Sequence, residues 1–296
     1  MTYTTIALIL ICILLPTCLS AAAPPQVTSD IVYARVGGRD LHLNLTVLAV
    51  QPSKPRPAVI WVHGGGWNAG DYHDSFAGAF GLTEMGYVTG SIEYRLSQEA
   101  KYPAQIHDCK AAIRFLRANA GKYGIDPNRI GVWGGSAGGH LVALLGTTGG
   151  IKALEGDEGN LGYSSRVQAV CDLFGPTDFS ESGIKEFLPV IATLLDQLLG
   201  GLARNNKGLA RLASPVEFVS KDDPPFLILH GDEDPLVPLS QSETLYNALK
   251  RVGADVKLVK VKHAGHGFGE KENEPSFAEI KKMVQEFFRE KLGGGK

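Results

Sequence analysis

An α/β fold with one central, mostly parallel sheet is what this sequence predicts, and three observations carry that reading. Short unbroken apolar runs recur along the chain, the mark of strands buried on both faces of a parallel sheet. Longer stretches with apolar residues at helical spacing alternate with them, as right-handed crossover connections require. The 36 glycines among 296 residues are far above average usage. They are not periodic, and they gather at three short sites directly after apolar runs. A hydrophobic content of 44% and a charged content of 20% exclude wholesale disorder. A net charge of −2 argues against a nucleic-acid partner, which would call for a basic surplus or stripe.

The elements follow in order. Ile6 to Leu15 is an unbroken apolar run, too short for a membrane span of about 20 residues. Pro16 and the small residues Ser20-Ala21-Ala22 come next, so residues 1–22 read as a secretory signal peptide cut after Ala22, although Met1 to Thr5 lacks the usual Lys or Arg. The expectation is therefore a secreted or periplasmic domain over 23–296, with no membrane span after cleavage. That domain keeps two cysteines, Cys109 and Cys171. Each sits in an apolar element, where a buried thiol behaves as a small hydrophobe, while export leaves a disulfide as the alternative.

Alternation over Leu41 to Val47 predicts a half-buried strand that pairs with Ile31 to Val36 in a hairpin around Gly37-Gly38. Pro-rich Gln51 to Pro57 is a surface connection. Buried strands are then expected at 58–62, 87–92, 130–133, 167–174, 226–229 and 256–261, with helices at 104–120, 137–145, 241–252 and 277–292. Only 179–219 breaks the alternation. It contains no strand, and Ile184 to Leu199 has helical spacing, so this stretch is expected to form a small helical cap over one edge of the sheet.

Gly134-Gly135-Ser136-Ala137-Gly138 follows the strand at 130–133 and opens a helix, the context that a G-x-S-x-G nucleophile elbow requires. A serine on so sharp a turn has strained backbone angles and close neighbours, which explains the flanking glycines. His63-Gly64-Gly65-Gly66-Trp67 ends the strand at 58–62. Acyl transfer needs backbone N–H donors aimed at an oxyanion, and a glycine loop is able to aim them, together with the N–H of Ala137. His63 reads as a residue that fixes this loop. His140, four residues after Ser136, reads as packing beneath the elbow.

A serine nucleophile needs a base and an orienting acid. His230-Gly231-Asp232-Glu233-Asp234-Pro235 follows one buried strand and Lys262-His263-Ala264-Gly265-His266-Gly267 the next. Both lie at strand carboxyl ends, where open α/β sheets carry their sites. The order Ser, acid, His fits the hydrolase pattern, with Asp232 or Asp234 and His263 or His266 still open on spacing alone. Asp71, His73 and Asp74 are thinkable metal ligands, but a loop leading into a helix explains them as capping residues, so no metal is expected. Trp67 and Tyr72 are expected to line the substrate pocket.

Taken together these motifs resemble the α/β-hydrolase superfamily and, within it, the BD-FAE-like secreted carboxylesterases, related to the hormone-sensitive-lipase-like esterases. The resemblance runs from about Val32 to Leu292 and includes His63 to Trp67, Glu93 to Leu96, Tyr102-Pro103-Ala104, Asp126 to Ile130, Trp133 to Gly139, Gly175 to Asp178, Asp223 to Phe226 and the two loops above. It implies an eight-stranded sheet and a triad of Ser136, Asp234 and His266. It also implies an oxyanion hole from Gly65, Gly66 and Ala137, no cofactor, and activity on carboxylic esters such as acetyl or feruloyl esters of polysaccharides. Arg95 and Asp178 match family positions that read as buried polar anchors. The expected function is a secreted serine carboxylesterase for short-acyl, aryl or sugar esters. Its alternatives are an amidase or peptidase on the same triad, and a non-catalytic binding protein on the same scaffold.

Overall fold

Leu41, Leu43 and Leu45 alternate with half-buried neighbours along β2 (Arg39–Leu48), so one face of that strand packs inward as its period of two requires. Further along, β4 (Val88–Ile92) and β6 (Ala169–Leu173) are buried at every position, as strands covered on both faces must be. The computed structural model describes residues 25–48, 54–74, 76–269 and 272–294. The expected signal peptide over 1–22 lies outside the described residues.

Eight strands form one sheet in the order β1-β2-β4-β3-β5-β6-β7-β8. The others are β1 (Pro25–Val36), β3 (Arg56–Val62), β5 (Ile125–Gly135), β7 (Phe226–Gly231) and β8 (Val256–Val261). The pairs β1–β2 and β2–β4 are antiparallel and the rest are parallel. The helices are α1 (Ala104–Ala118), α2 (Ala120–Tyr123), α3 (Ala137–Thr147), α4 (Pro189–Leu199), α5 (Lys207–Leu212), α6 (Leu239–Arg251) and α7 (Phe277–Leu292). One face of the sheet buries apolar residues of α1, α3, α6 and the insertion. The other buries Phe80 with Ile280, Val284 and Phe288 of α7. Each fully buried Leu, Val or Phe side chain contributes roughly 1.5–3 kcal/mol of transfer free energy.

Several elements differ from the sequence reading. β1 begins at Pro25 rather than near Ile31, because its first half is an exposed edge and a register shift between Thr28 and Ile31 breaks the alternation. The helix expected over 104–120 ends at Ala118 and restarts at Ala120 as the short α2. The insertion helix begins at Pro189 rather than Ile184, since the residue before a proline is pushed out of helical angles. Leu188 is indeed extended, and the residues before it make only a 3₁₀ turn, Gly183–Glu186. The fourth difference lies between β3 and β4, where the described helical element is a 3₁₀ turn, Phe76–Phe80. Asp71 therefore caps no helix. It instead accepts the backbone N–H of His73 at 2.7 Å and faces that ring's Nδ1 at 2.6 Å.

Cys109 and Cys171 are free and buried, and they belong to the clusters on opposite faces of the sheet. Burial pushes both thiols well above their ordinary pKa. Arg95 makes the anchor expected of it, a forked contact to buried Asp108 at 2.6 and 2.8 Å. Asp178 closes a local turn, accepting the Ser180 N–H at 2.8 Å.

Candidate active site

β3, β5, β7 and β8 point their carboxyl ends the same way, so the loops after them meet at one edge. Ser136 joins β5 to α3 with φ 57° and ψ −121°, a strained pair of angles for any residue with a Cβ. The neighbouring glycines are required by close approach. A Cβ on Gly138 would lie 2.0 Å from the Val62 carbonyl oxygen, and one on Gly134 would lie 2.6 Å from the Gly138 carbonyl. This contact seats the start of α3 on the end of β3. A Cβ on Gly64 would in turn be 2.9 Å from the Gly135 carbonyl and 3.5 Å from Ser136 Cβ. The glycine loop is thus the immediate neighbour of the serine.

Within that loop Gly65, Gly66 and Trp67 all take positive φ, at 106°, 60° and 57°. The Gly65 carbonyl accepts the N–H groups of Asn68 and Ala69 at 3.1 and 3.0 Å. His63 is buried and stacks on Tyr94 at 4.3 Å, with its Nδ1 2.8 Å from the Gly64 carbonyl oxygen. Burial pulls its pKa down, which leaves it neutral and structural. Leu194 of α4 covers the loop, since a Cβ on Gly66 would come within 2.6 Å of its Cδ1. Asn68 also donates to Gln197 Oε1 at 2.9 Å, so the insertion does lie over the loop beside the serine.

The loops after β7 and β8 give the two aspartates and the two histidines left open by spacing different surroundings. Asp234 is buried, and its Oδ2 lies 2.7 Å from His266 Nδ1. Its Oδ1 accepts the N–H groups of Leu236 and Val237 at 2.8 and 3.0 Å. Burial alone would raise this carboxyl's pKa. Hydrogen bonds from His230 and His266, the coulombic contribution of His266 and the Val237 N–H outweigh burial and hold it well below the usual carboxylate range. Asp232 is exposed and spends its Oδ1 on the His263 backbone N–H at 2.8 Å. His263 is likewise exposed and faces Glu233 at 3.4 Å. Phe174 touches both the serine turn and the imidazole: its ring is 4.5 Å from that of His266, and a Cβ on Gly135 would meet it at 3.2 Å.

His230 is a site residue to which sequence reasoning gave no role. It is buried at the end of β7, with Nε2 at 2.8 Å from the Val237 carbonyl oxygen and 3.3 Å from Asp234 Oδ2. Its Nδ1 takes the Ser242 hydroxyl at 2.7 Å. Its place four residues before Asp234, on a buried strand end, was the available signal. Leu194 left no such signal, because its contact with Gly66 depends on how the insertion docks.

The structure places both expected pocket-lining aromatics elsewhere. Trp67 is only 2% exposed and donates its indole N–H to His140 Nδ1 at 3.1 Å. Tyr72 donates to Asp30 Oδ1 at 2.6 Å and lines a cavity of about 400 Å³ whose walls come largely from β1, β2, β4 and the segment 72–84. Among the described residues, no group of three or more His, Cys, Asp or Glu is arranged to hold a metal ion.

The BD-FAE family model matches residues 46–249, and that of the dienelactone hydrolase family matches 208–291. Esterase LipQ of Mycobacterium tuberculosis is 34% identical over 81% of this chain. The chain spans 57% of that relative's length. Among solved structures, a truncated carbohydrate esterase from gut microbiota is 34% identical with a TM-score of 0.77, covering 90% of this chain and 96% of its own. The propionate-bound thermophilic esterase Est2 of Thermogutta terrifontis is 27% identical with a TM-score of 0.74, covering 90% of this chain and 95% of its own. The chain therefore belongs to the BD-FAE family and has the α/β-hydrolase fold of the carboxylesterases it resembles.

Proposed function

We propose that this protein is a secreted serine carboxylesterase that hydrolyses short-acyl esters or aryl and sugar esters of the acetyl- or feruloyl-polysaccharide type. The observation that carries the reading is the Asp234–His266 pair at 2.7 Å, at the same carboxyl edge of the sheet as a strained Ser136 and a glycine loop. Esterase relatives support the reaction class, and the gut carbohydrate esterase and the propionate held by Est2 support the substrate class.

Ser136 Oγ attacks the acyl carbonyl carbon while His266 Nε2 takes its proton. Asp234 bonds to Nδ1–H and so fixes the tautomer that leaves Nε2 free to accept. The tetrahedral oxyanion is received by the N–H groups of the Gly65–Gly66 loop and of Ala137, the first residue of α3, where the helix dipole favours negative charge. Collapse expels the alcohol, protonated by His266. Water, deprotonated by the same imidazole, then attacks the acyl-enzyme and releases the carboxylic acid.

Leu194 lies over the oxyanion loop, which limits the room beside the reacting carbon and favours small acyl groups. Turnover of p-nitrophenyl esters from acetyl to palmitoyl, run beside acetylated xylan and methyl ferulate, tests the reading. Activity is expected to peak between acetyl and butyryl and to fall gradually beyond about eight carbons, because each methylene is worth only ~1–3 kcal/mol. Peak activity on palmitoyl esters would make it a lipase. Failure of a serine-directed phosphonate to inactivate it would remove the serine mechanism altogether.

A further inference from the structure

Trp67 is the one residue with a Cβ in a run of three left-handed residues, at φ 57° after Gly65 and Gly66. Such a backbone persists only where its surroundings over-determine it. The Trp67 carbonyl accepts the Ser97 N–H at 2.7 Å. Its indole stands edge-on to Phe179 and His140, with ring centroids 5.9 and 5.3 Å away.

The hydrogen bonds of that indole assign a tautomer. Indole Nε1–H only donates, so His140 Nδ1, 3.1 Å away, must be the acceptor. The ring proton then sits on Nε2, which donates to the Ala213 carbonyl at 2.7 Å. His140 is fully buried, and burial holds its pKa down to about 4, so the ring stays neutral. Its own backbone N–H donates to the Ser136 carbonyl at 3.0 Å, one helical turn back. Ala213 lies in the insertion, just after α5. One imidazole thus ties together the glycine loop, the helix that begins at the serine, and the cap.

We propose that His140 is a positioning residue for acyl transfer: through Trp67 it holds the Gly65–Gly66 donors at the distance from Ser136 that the tetrahedral intermediate requires. The inference rests on the serine-esterase reading above. Neither His140 nor Trp67 touches the substrate, and their effect passes through the backbone of the loop. Removing a single oxyanion donor costs about 10²–10³ in turnover, and a displaced donor loses part of the same stabilisation.

The experiment measures kcat and KM on p-nitrophenyl acetate for His140→Leu, His140→Gln, Trp67→Phe and the double variant His140→Leu/Trp67→Phe, together with Ser136→Ala. For the variants that keep Ser136, each kcat is normalised to the sites that a phosphonate labels at completion by intact mass, and for Ser136→Ala to the protein concentration. His140→Leu is expected to lower kcat about 10–100-fold with KM changed less than about threefold, since the lost interaction is realised in the transition state. Gln accepts through Oε1 and donates through Nε2, so His140→Gln is expected to recover most of that loss. Trp67→Phe keeps a ring without the donor and should lower kcat at unchanged KM. The double variant should be no worse than His140→Leu, because both break one link. Wild-type kcat in His140→Leu, a loss carried by KM, or equal losses in His140→Leu and His140→Gln would overturn the proposal. If His140→Leu does not fold, Trp67→Phe decides, and an unchanged kcat there would overturn it. Hydrolysis retained by Ser136→Ala strikes the serine reading instead, so the two failures are distinguishable.

Discussion

Asp234 and Asp232 stand two residues apart after β7, and His266 and His263 three apart after β8, yet the fold gives the two pairs opposite surroundings. In the inner pair the acid's side chain is buried and bonded by two backbone N–H groups and two imidazoles, and His266 is partly buried. The outer pair is exposed: Asp232 accepts the His263 backbone N–H, while the His263 ring faces Glu233. The inner carboxylate is held charged by fixed donors, which is what an orienting acid needs. The outer one sits in water, where a charge contact contributes little. The lesson is that the same two residue types serve chemistry or loop order according to how many fixed dipoles surround them.

The most severe way to break the inner arrangement is Ser136→Ala. Turnover should fall to a residue at most ~10³–10⁴ above the uncatalysed rate, with circular dichroism unchanged. Asp234→Asn and His266→Ala come next, each expected to cost on the order of 10⁴ in kcat, because the amide favours the wrong tautomer and alanine removes the base. Should Asp232→Asn prove crippling and Asp234→Asn mild, the assignment of the acid would be reversed.

A smaller effect separates the inner pair from the buried imidazole that is not part of it. Burial lowers the pKa of His140 from 6.5 to about 4. The unfolded chain therefore takes up this proton first as the pH falls, and stability present above pH 6.5 is lost progressively down to about pH 4. The full change corresponds to about 3 kcal/mol. Urea midpoints of His140→Gln should lack this component of the acid loss; the same slope in both proteins would show that the ring is not buried neutral. Smaller still, Asp232→Asn and His263→Ala should alter turnover by less than about tenfold, or roughly 1.4 kcal/mol. EDTA should have no effect, and activity lost to the chelator and restored by a divalent ion would assign Asp71, His73 and Asp74 to a metal.

Where burial is complete the sequence was readable. The apolar runs at 58–62 and 226–229 fall inside β3 and β7, because a strand covered on both faces admits little else. The first half of β1 was not legible, since an exposed, bulged edge carries no period. At the site, the glycines of 134–138 announced a tight turn because backbone contacts there leave no room for a Cβ. The choice between Asp232 and Asp234 had no signal in composition or spacing, for it depends on which residue the β7 loop turns inward. Nothing in the sequence says that the Trp67 ring faces buried His140 or that Tyr72 turns to Asp30, because aromatic character does not say what a ring faces.

The contact between Gly138 and the Val62 carbonyl bears on how such a protein is altered by design. Along this seam, where a Cβ on Gly138 would stand 2.0 Å from the Val62 oxygen, the spacing between the serine helix and the strand that carries the glycine loop is set by main chain against main chain. Rotamer changes have nothing to adjust there, so substitutions elsewhere in the core should leave that spacing untouched, whereas any side chain at Gly138 must push the two elements apart. Leu194 in the insertion covers the glycine loop rather than this seam, so substitutions there leave the main-chain spacing at Gly138 unchanged. The elbow itself offers an engineer no gradual setting.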